Sequence, residues 1–409
     1  MIQKPKAAYR KILHFDLDAF FCAVEEQHNP NLVGKSFAVG GRPDERGVVA
    51  SCSYAARKFG VRSAMPMAHA LRLCPSLVIV SSRHGNYGKV SKNVMAYLDD
   101  LTPLVEKVSI DEAFLDVTDL PESGLSIARG LQRTIRAQLN LPSSLGIATN
   151  KLVAKIANDV GKAAVRSSSP PNAITEVPPG EEENFLAPLP VTSLWGIGDK
   201  TAEKLDQMGL KTIGELADFP ENRLIQLFGK YGHDLYRRSH GTDDRPITTS
   251  YGIKSVSHET TFASDVTERE ELRGVLIRLS DRVARRLRKA NLCGNTVRLK
   301  LRWADFTTIT RQSTLQHATD QDGEIYRAVW ELFVSAWHPS QAVRLIGVGV
   351  SGLGPPVRQL SFWEDDFRKE ARLLSAVDEL RNRYGDKIVI RASNMPVSKD
   401  RNDTRHKSS

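Results

Sequence analysis

Three carboxylates in two short stretches are the side chains of this sequence best suited to chemistry. Asp16 ends the apolar run that opens with Ile12, Leu13 and Phe15, and Asp111-Glu112 lies inside SIDEAFLDV. Carboxylates packed together raise one another's pKa, so such a cluster calls for a cation. Mg²⁺ suits it, because that ion takes oxygen ligands and shares its shell with phosphates. Taken singly, either stretch also reads as solvated loop acids; two matching strand ends favour a metal site. Asp18, two residues past Asp16, is a helix cap or a hydrogen-bonding support.

A phosphate grip is readable in SYAARKFGVRSAMP, where Tyr54 and Arg57 share a helical face and Lys58 and Arg62 stand near. The Arg57 guanidinium can pair bidentately with a triphosphate while the Tyr54 hydroxyl adds a neutral donor. Lys162, after KLVAKIANDV, is a second candidate cation. GIGDKT, residues 196–201, is too short for a Walker loop and fits a helix-hairpin-helix. There Gly196, Gly198 and Lys200 would let backbone N–H groups approach a DNA phosphate. A plain αα-turn with glycine caps is the other reading.

Farther on, TVRLKLRW alternates Val297, Leu299, Leu301 and Trp303 with Arg298, Lys300 and Arg302. One face is core and the other a row of cations. Such a row is unfavourable without a polyanion, and no acids alternate with it along the strand. Arg282, Arg285, Arg286 and Lys289 form a basic helical stripe that reads equally as solvated surface.

The elements that must hold these residues follow from periodicity. A strand is predicted over 11–17, a helix over 19–28 ended by Asn29-Pro30, a helix over 85–100, strands over 104–110 and 113–117, a helix over 124–139, a strand over 143–148, and a helix from Lys151. Apart from a small unit inserted after the first helix, this is the β-α-β-β-α-β order of a ferredoxin-like sheet. Its first and third strands are antiparallel neighbours, which places Asp16 beside the turn at 110–113. After the Ser/Pro-rich stretch at 166–172 comes a helical segment, then a polar linker, then a second α/β unit. An amphipathic helix over 367–384 and a polar tail close the chain. The predicted class is α+β and multidomain.

The sequence has 409 residues, with Lys and Arg exceeding Asp and Glu by 57 to 48 for a net charge of +9. That surplus favours a polyanionic partner such as nucleic acid. No apolar run has the length of a membrane span and MIQKPKAAYRK lacks a secretory h-region, so a cytoplasmic protein with no membrane partner is expected. Cys22, Cys52, Cys74 and Cys293 show no metal-ligand spacing and read as buried thiols.

The ordered motifs HFDLDAFFCAVEE, SYAARKFGVRSAMP, VSIDEAFLDVTD, AKIANDVGK and WGIGDKTAEKL, with the basic α/β unit after a linker, resemble the Y-family translesion DNA polymerases of the bacterial polymerase IV type. The resemblance spans about residues 9–352. It implies a palm (1–18 and 83–174), small fingers (19–82), a helix-hairpin-helix thumb (175–240), a linker (241–252), an α/β little finger (253–352) and a C-terminal clamp-binding segment with a tail (353–409). It further implies two Mg²⁺ ions held by Asp16, Asp111, Glu112 and the Leu17 carbonyl, with a triphosphate held by Tyr54, Arg57 and Lys162. Phe21 matches the steric-gate aromatic that excludes a 2′-hydroxyl, leaving Phe20 packed inward. The partners implied are primed template DNA, deoxynucleoside triphosphates and, through Gln359, Leu360, Phe362 and Trp363, a sliding clamp, with the enzyme acting as a monomer. The activity implied is error-prone synthesis past damage without a proofreading exonuclease. The sequence departs from the family at GKAAVRSSSPPN after Lys162, and QLSFW differs from the usual clamp peptide. A catalytically idle DNA-binding accessory protein and a nucleotidyl cyclase are the rival classes.

Overall fold

In the computed structural model, which describes residues 9–165, 167–356, 365–385 and 388–389, strand β1 (Ile12–Leu17) is buried on both faces. Double burial explains its nearly unbroken apolar sequence. Helix α1 (Phe20–His28) follows, then a small three-stranded unit built from β2 (Phe37–Gly40), β3 (Val49–Cys52), α2 (Tyr54–Arg57), α3 (Met67–Leu73) and β4 (Val78–Ser81), ordered β3-β2-β4. The chain returns through α4 (His84–Leu101), β5 (Val105–Lys107), β6 (Glu112–Asp116), α5 (Gly124–Leu139), β7 (Ser143–Ala148), α6 (Lys151–Ala164) and β8 (Ile174–Glu176).

The main sheet runs β5-β6-β1-β7-β8, with β1 antiparallel to both β6 and β7. This is the ferredoxin-like order that the sequence predicts, with one addition: β8 pairs in parallel with β7 at the edge. Three residues after a Ser/Pro-rich stretch give too little periodicity to announce a strand. Strand β5 is also shorter than predicted, because 108–111 form the turn. Leu13, Phe15 and Leu17 pack with Val94 and Leu98 of α4 and Leu131 and Ile135 of α5. Ile12 and Phe114 face the other way, into a core with Leu152, Val153 and Ile156 of α6.

The chain divides into two units, residues 1–251 and 252–409. The helical end of the first holds α7 (Glu182–Leu186), α8 (Asp199–Gln207), α9 (Ile213–Ala217), α10 (Glu221–Phe228) and α11 (Lys230–Ser239). Residues 241–251, which read as linker in the sequence, are tied to this unit. Asn150 Nδ2 donates to the Gly241 carbonyl at 2.9 Å, and Glu106 accepts from the Thr248 N–H at 2.8 Å and the Tyr251 hydroxyl at 2.6 Å.

The second unit comprises β9 (Ser255–Val266), α12 (Arg269–Lys289), β10 (Cys293–Trp303), β11 (Thr308–Thr319), α13 (Asp322–Ala336), β12 (Val343–Gly354) and α14 (Asp365–Tyr384), in the sheet order β11-β10-β12-β9. The predicted apolar stripe of α12, from Leu272 to Leu287, is buried against this sheet. Helix α14 is tied to α12 by Arg288–Asp378 at 2.6 Å and Arg381–Asp281 at 3.0 Å. Three cations of the basic stripe of α12 are engaged within their own unit: Arg282 meets His258 at 2.9 Å, Arg285 donates to Asn382 at 2.9 Å and Arg286 to the Ser257 carbonyl at 3.2 Å. All four cysteines are buried thiols. Among the described residues, no helix is long and apolar enough to cross a membrane.

Candidate active site

The end of β1 and the turn before β6 are fastened by their backbones. Asp16 is the cross-strand partner of Glu112, and the Leu17 N–H donates to the Asp111 carbonyl at 3.0 Å. Strand alternation puts Ile12, His14 and Asp16 on the face that α6 covers, opposite Leu13, Phe15 and Leu17. Helix α6 starts at Asn150, whose side chain caps the Val153 N–H at 3.0 Å. It lies directly on β7 at Gly146, where a Cβ would stand 1.9 Å from the Ala154 carbonyl oxygen. That close approach brings the polar face of α6 onto the carboxylates.

Each carboxylate has its own partner. Lys162 Nζ lies 2.5 Å from Asp16 Oδ1, Lys155 Nζ and His14 Nε2 lie 2.7 and 2.6 Å from Glu112 Oε1, and the Ser109 hydroxyl donates to Asp111. Burial alone would raise the Glu112 carboxyl, but His14 and Lys155 hold it well below the usual carboxylate range. Asp111 goes the other way: burial raises it, the Ser109 hydrogen bond opposes the rise, and the nearby charges of Asp16 and Glu112 add to it.

Among the described residues, no three His, Cys, Asp or Glu side chains converge as metal ligands do. The three acids share one sheet end while their side chains turn to separate partners. Their chemistry nevertheless fits a divalent cation. All are hard oxygen donors, and the Asp111 carboxyl responds to both neighbouring negative charges in the way a bridging cation would relieve.

A cleft of about 270 Å³ joins Asp16, Leu17 and Asp111 to Phe20, Phe21, Tyr54, Arg57 and Lys162. Glu112 does not line it, because its side chain points toward α6. Phe20 is buried and Phe21 half-buried, with the Phe21 ring stacked on Tyr87. The Arg57 guanidinium lies over the Tyr54 ring, 4.5 Å from its centroid. Burial and then the charge of nearby Asp18 raise the pKa of the Tyr54 hydroxyl. Asp18 is a buried brace. It accepts the Ser144 hydroxyl at 2.9 Å and the Asn172 N–H at 3.0 Å, which fixes the end of the unusual loop after Lys162.

The expected DNA-contacting groups fall in two places. In the first unit Gly196, Gly198 and Lys200 are exposed, with Gly198 capping α8. Gly196 has φ of +103°, where a side chain is strained, and its carbonyl accepts the Tyr231 hydroxyl at 2.7 Å. A single 3₁₀ turn, Val191–Ser193, precedes this hairpin in place of a full helix. In the second unit Arg298, Lys300 and Arg302 stand on the face of β10 opposite its buried residues, as the alternation predicts. The row is not wholly unpaired, since Glu259 of β9 reaches Lys300 across Gly347 at 2.8 Å. Arg302 Nε donates to Thr308 Oγ1 at 2.8 Å. Gln359, Leu360, Phe362 and Trp363 lie outside the described residues.

Sequence reading missed Tyr87, His14, Lys155 and Asn158. The last three signal themselves only once β1 and α6 are known to face each other.

The chain matches the impB/mucB/samB family model over residues 15–159, that family's C-terminal domain over 253–362 and its helix-hairpin-helix motif over 179–210. It is 41% identical over 385 residues to the DNA polymerase IV of Desulfatibacillum aliphaticivorans, covering 92% of this chain and 95% of that one. With the DNA polymerase IV of Dehalococcoides mccartyi it shares 40% identity over 382 residues, 92% of this chain and 96% of the relative. Among solved structures, a Y-family DNA polymerase chimera of Dbh and Dpo4 superposes with a TM-score of 0.74 at 25% identity, covering 84% of this chain and 99% of the chimera. An insertion ternary complex of Dbh DNA polymerase gives a TM-score of 0.60 at 26% identity over 84% and 99% of the two chains. Asp16, Asp111 and Glu112 and most of the ferredoxin-like sheet fall inside the first matched stretch, and the chain belongs to the impB/mucB/samB family, the Y-family DNA polymerases.

Proposed function

We propose that this enzyme adds deoxynucleotides to a primer 3′-hydroxyl opposite damaged template bases, by two-metal nucleotidyl transfer and without a proofreading exonuclease. The observation that carries the proposal is the cleft in which Asp16 and Asp111 meet Tyr54, Arg57, Lys162 and Phe21. Asp16, Asp111, Glu112 and the Leu17 carbonyl would hold two Mg²⁺ ions, which when bound lower the pKa of the 3′-hydroxyl and neutralise the leaving pyrophosphate.

The chain's own residues do the rest. Arg57, already positioned by Tyr54, pairs with triphosphate oxygens. Lys162 exchanges Asp16 for phosphate when the nucleotide enters, which frees that carboxylate as a ligand. Phe21 stands where a 2′-hydroxyl would clash, so ribonucleotides are excluded by shape. Gly196, Gly198 and Lys200 hold phosphates of the primed duplex through backbone and ammonium groups, and Arg298, Lys300 and Arg302 neutralise others. The enzyme works as a monomer in the cytoplasm, with Gln359, Leu360, Phe362 and Trp363 docking on a sliding clamp.

Primer extension on an intact template and on one carrying an abasic site tests the reading. Extension of both in the presence of Mg²⁺ and deoxynucleotides is expected. Stalling at the abasic site removes the translesion part, and no extension of either template removes the whole.

A further inference from the structure

One face of α6 presents Lys151, Lys155, Asn158 and Lys162, spaced about a helical turn apart, and each meets one group on the sheet. Lys151 meets Glu106, Lys155 meets Glu112, Asn158 meets His14 and Lys162 meets Asp16. Three of these contacts are ion pairs. The fourth is a fully buried amide against a fully buried imidazole.

The surroundings of Asn158 locate the proton on His14. Asn158 Nδ2 lies 3.3 Å from the Ser144 carbonyl oxygen and 2.9 Å from His14 Nδ1. A carbonyl only accepts, so the atom facing it is the NH₂ end of the amide; turned over, the amide would set oxygen against oxygen. The same NH₂ group therefore donates to His14 Nδ1, which carries no proton. The ring is then a neutral imidazole with its proton on Nε2, and that N–H points at Glu112 Oε1, 2.6 Å away. With Lys155 at 2.7 Å, Oε1 accepts two hydrogen bonds, enough to occupy both of its lone pairs.

We propose that Asn158 and His14 are positioning residues for the reaction: Asn158 selects the His14 tautomer, and His14 with Lys155 pins Oε1 of Glu112 so that Oε2 is the oxygen offered to the divalent cation. The inference rests on Glu112 being a metal ligand. It concerns the aim of that ligand, which hydrogen bonds from the surrounding shell commonly set.

Two measurements on the full chain test it. The first is the ¹⁵N spectrum of the histidine-labelled parent, with His14 assigned by its loss in His14→Gln. Protonated Nε2 with unprotonated Nδ1 is expected, and a proton on Nδ1 overturns the proposal. The second is direct Mn²⁺ binding, followed by electron paramagnetic resonance with primed template DNA present. His14→Leu should weaken binding about 10-fold or more, while His14→Gln, whose amide nitrogen reaches the Nε2 position, should stay within about 3-fold of the parent. Equal affinity in His14→Leu and parent overturns the positioning role. Glu112→Ala separates the two levels. If it weakens Mn²⁺ binding and His14→Leu does not, only this inference falls; if Glu112→Ala binds as the parent does, the ligand reading falls first and takes the inference with it. The parent spectrum stands on its own should His14→Leu fail to fold.

Discussion

The ring of Phe21 lies flat on that of Tyr87, with centroids 4.3 Å apart and planes 13° from parallel. Tyr87 is itself immobilised, since its hydroxyl donates to the buried Glu25 carboxylate at 2.7 Å. A steric gate at Phe21, as proposed, would exclude by refusing to move, and this stack would supply its backing. Phe21→Ala should raise ribonucleotide use relative to deoxynucleotide use by on the order of 100-fold, and Tyr87→Ala should shift the same ratio by about 10-fold. The ratio of kcat/KM for matched ribo- and deoxynucleotides checks both. An unchanged ratio in Phe21→Ala would remove the gate from the account.

Arg57 is held above Tyr54 beside the carboxylates, so its loss should be felt by the nucleotide and not by the duplex. Removing a charge-assisted hydrogen bond forfeits about 1.5–3 kcal/mol, or roughly 10- to 100-fold in KM for the incoming nucleotide. Affinity for primed DNA should stay the same. Arg57→Lys should recover only part of the loss, because an ammonium neither forks nor stacks as a guanidinium does. Single-nucleotide incorporation kinetics with a parallel DNA titration separate the two effects.

On β10, the hydrogen bond between Lys300 and Glu259 distinguishes that cation from its neighbours. Arg298→Ala and Arg302→Ala should each reduce the slope of log affinity for DNA against log salt by about 0.9, the value for one phosphate contact. Lys300→Ala should reduce it by less, since Glu259 already competes for that ammonium. Equal slopes for all four proteins would remove the row from the DNA interface.

Much of this arrangement is legible in the sequence. The β-α-β-β-α-β order, the bounds of α5 and β7, the antiparallel pairing that joins Asp16 to the Asp111 turn and the two-faced β10 all follow from local periodicity. The inward packing of Phe20 is expected from the family resemblance and is what the structure has. What escaped depends on contacts between distant segments. Lys151, Lys155 and Asn158 read as an ordinary amphipathic helix until the sheet face beneath them is known, and only that face reveals Asp16 as the partner of Lys162. Glu259 is invisible as the partner of Lys300 because a glycine on the intervening strand separates them, and β8 is too short to show a period. Residues 241–251 read as linker because nothing in their composition announces the buried Glu106 that accepts from two of them.

That Glu106 carboxylate gives a pH signature. Burial alone would raise its pKa, but Lys151, Tyr251 and the Thr248 N–H bring it below the ordinary range. A carboxyl depressed in the folded state stabilises the fold above its unfolded pKa, about 4.3, and loses that contribution as pH falls through the lower folded value. Lys151 and Glu106 are both buried, so Glu106→Gln should lower stability at neutral pH by about 3–5 kcal/mol, as breaking a buried pair does. The variant should also show a shallower fall in stability on acidification below about pH 4.3. Urea unfolding of parent and variant across that range checks both. Parallel pH profiles would show that Glu106 does not contribute in this way.

The most direct test of the central claim is Mg²⁺-dependent extension of a primed template by the parent chain and by Asp111→Ala with Glu112→Ala. Both proteins should bind the duplex alike, while the variant's extension rate should fall by on the order of 10³-fold or more, the several kcal/mol that a bound metal contributes to the transition state. Extension by the variant at the parental rate would contradict the assignment of these carboxylates to catalysis.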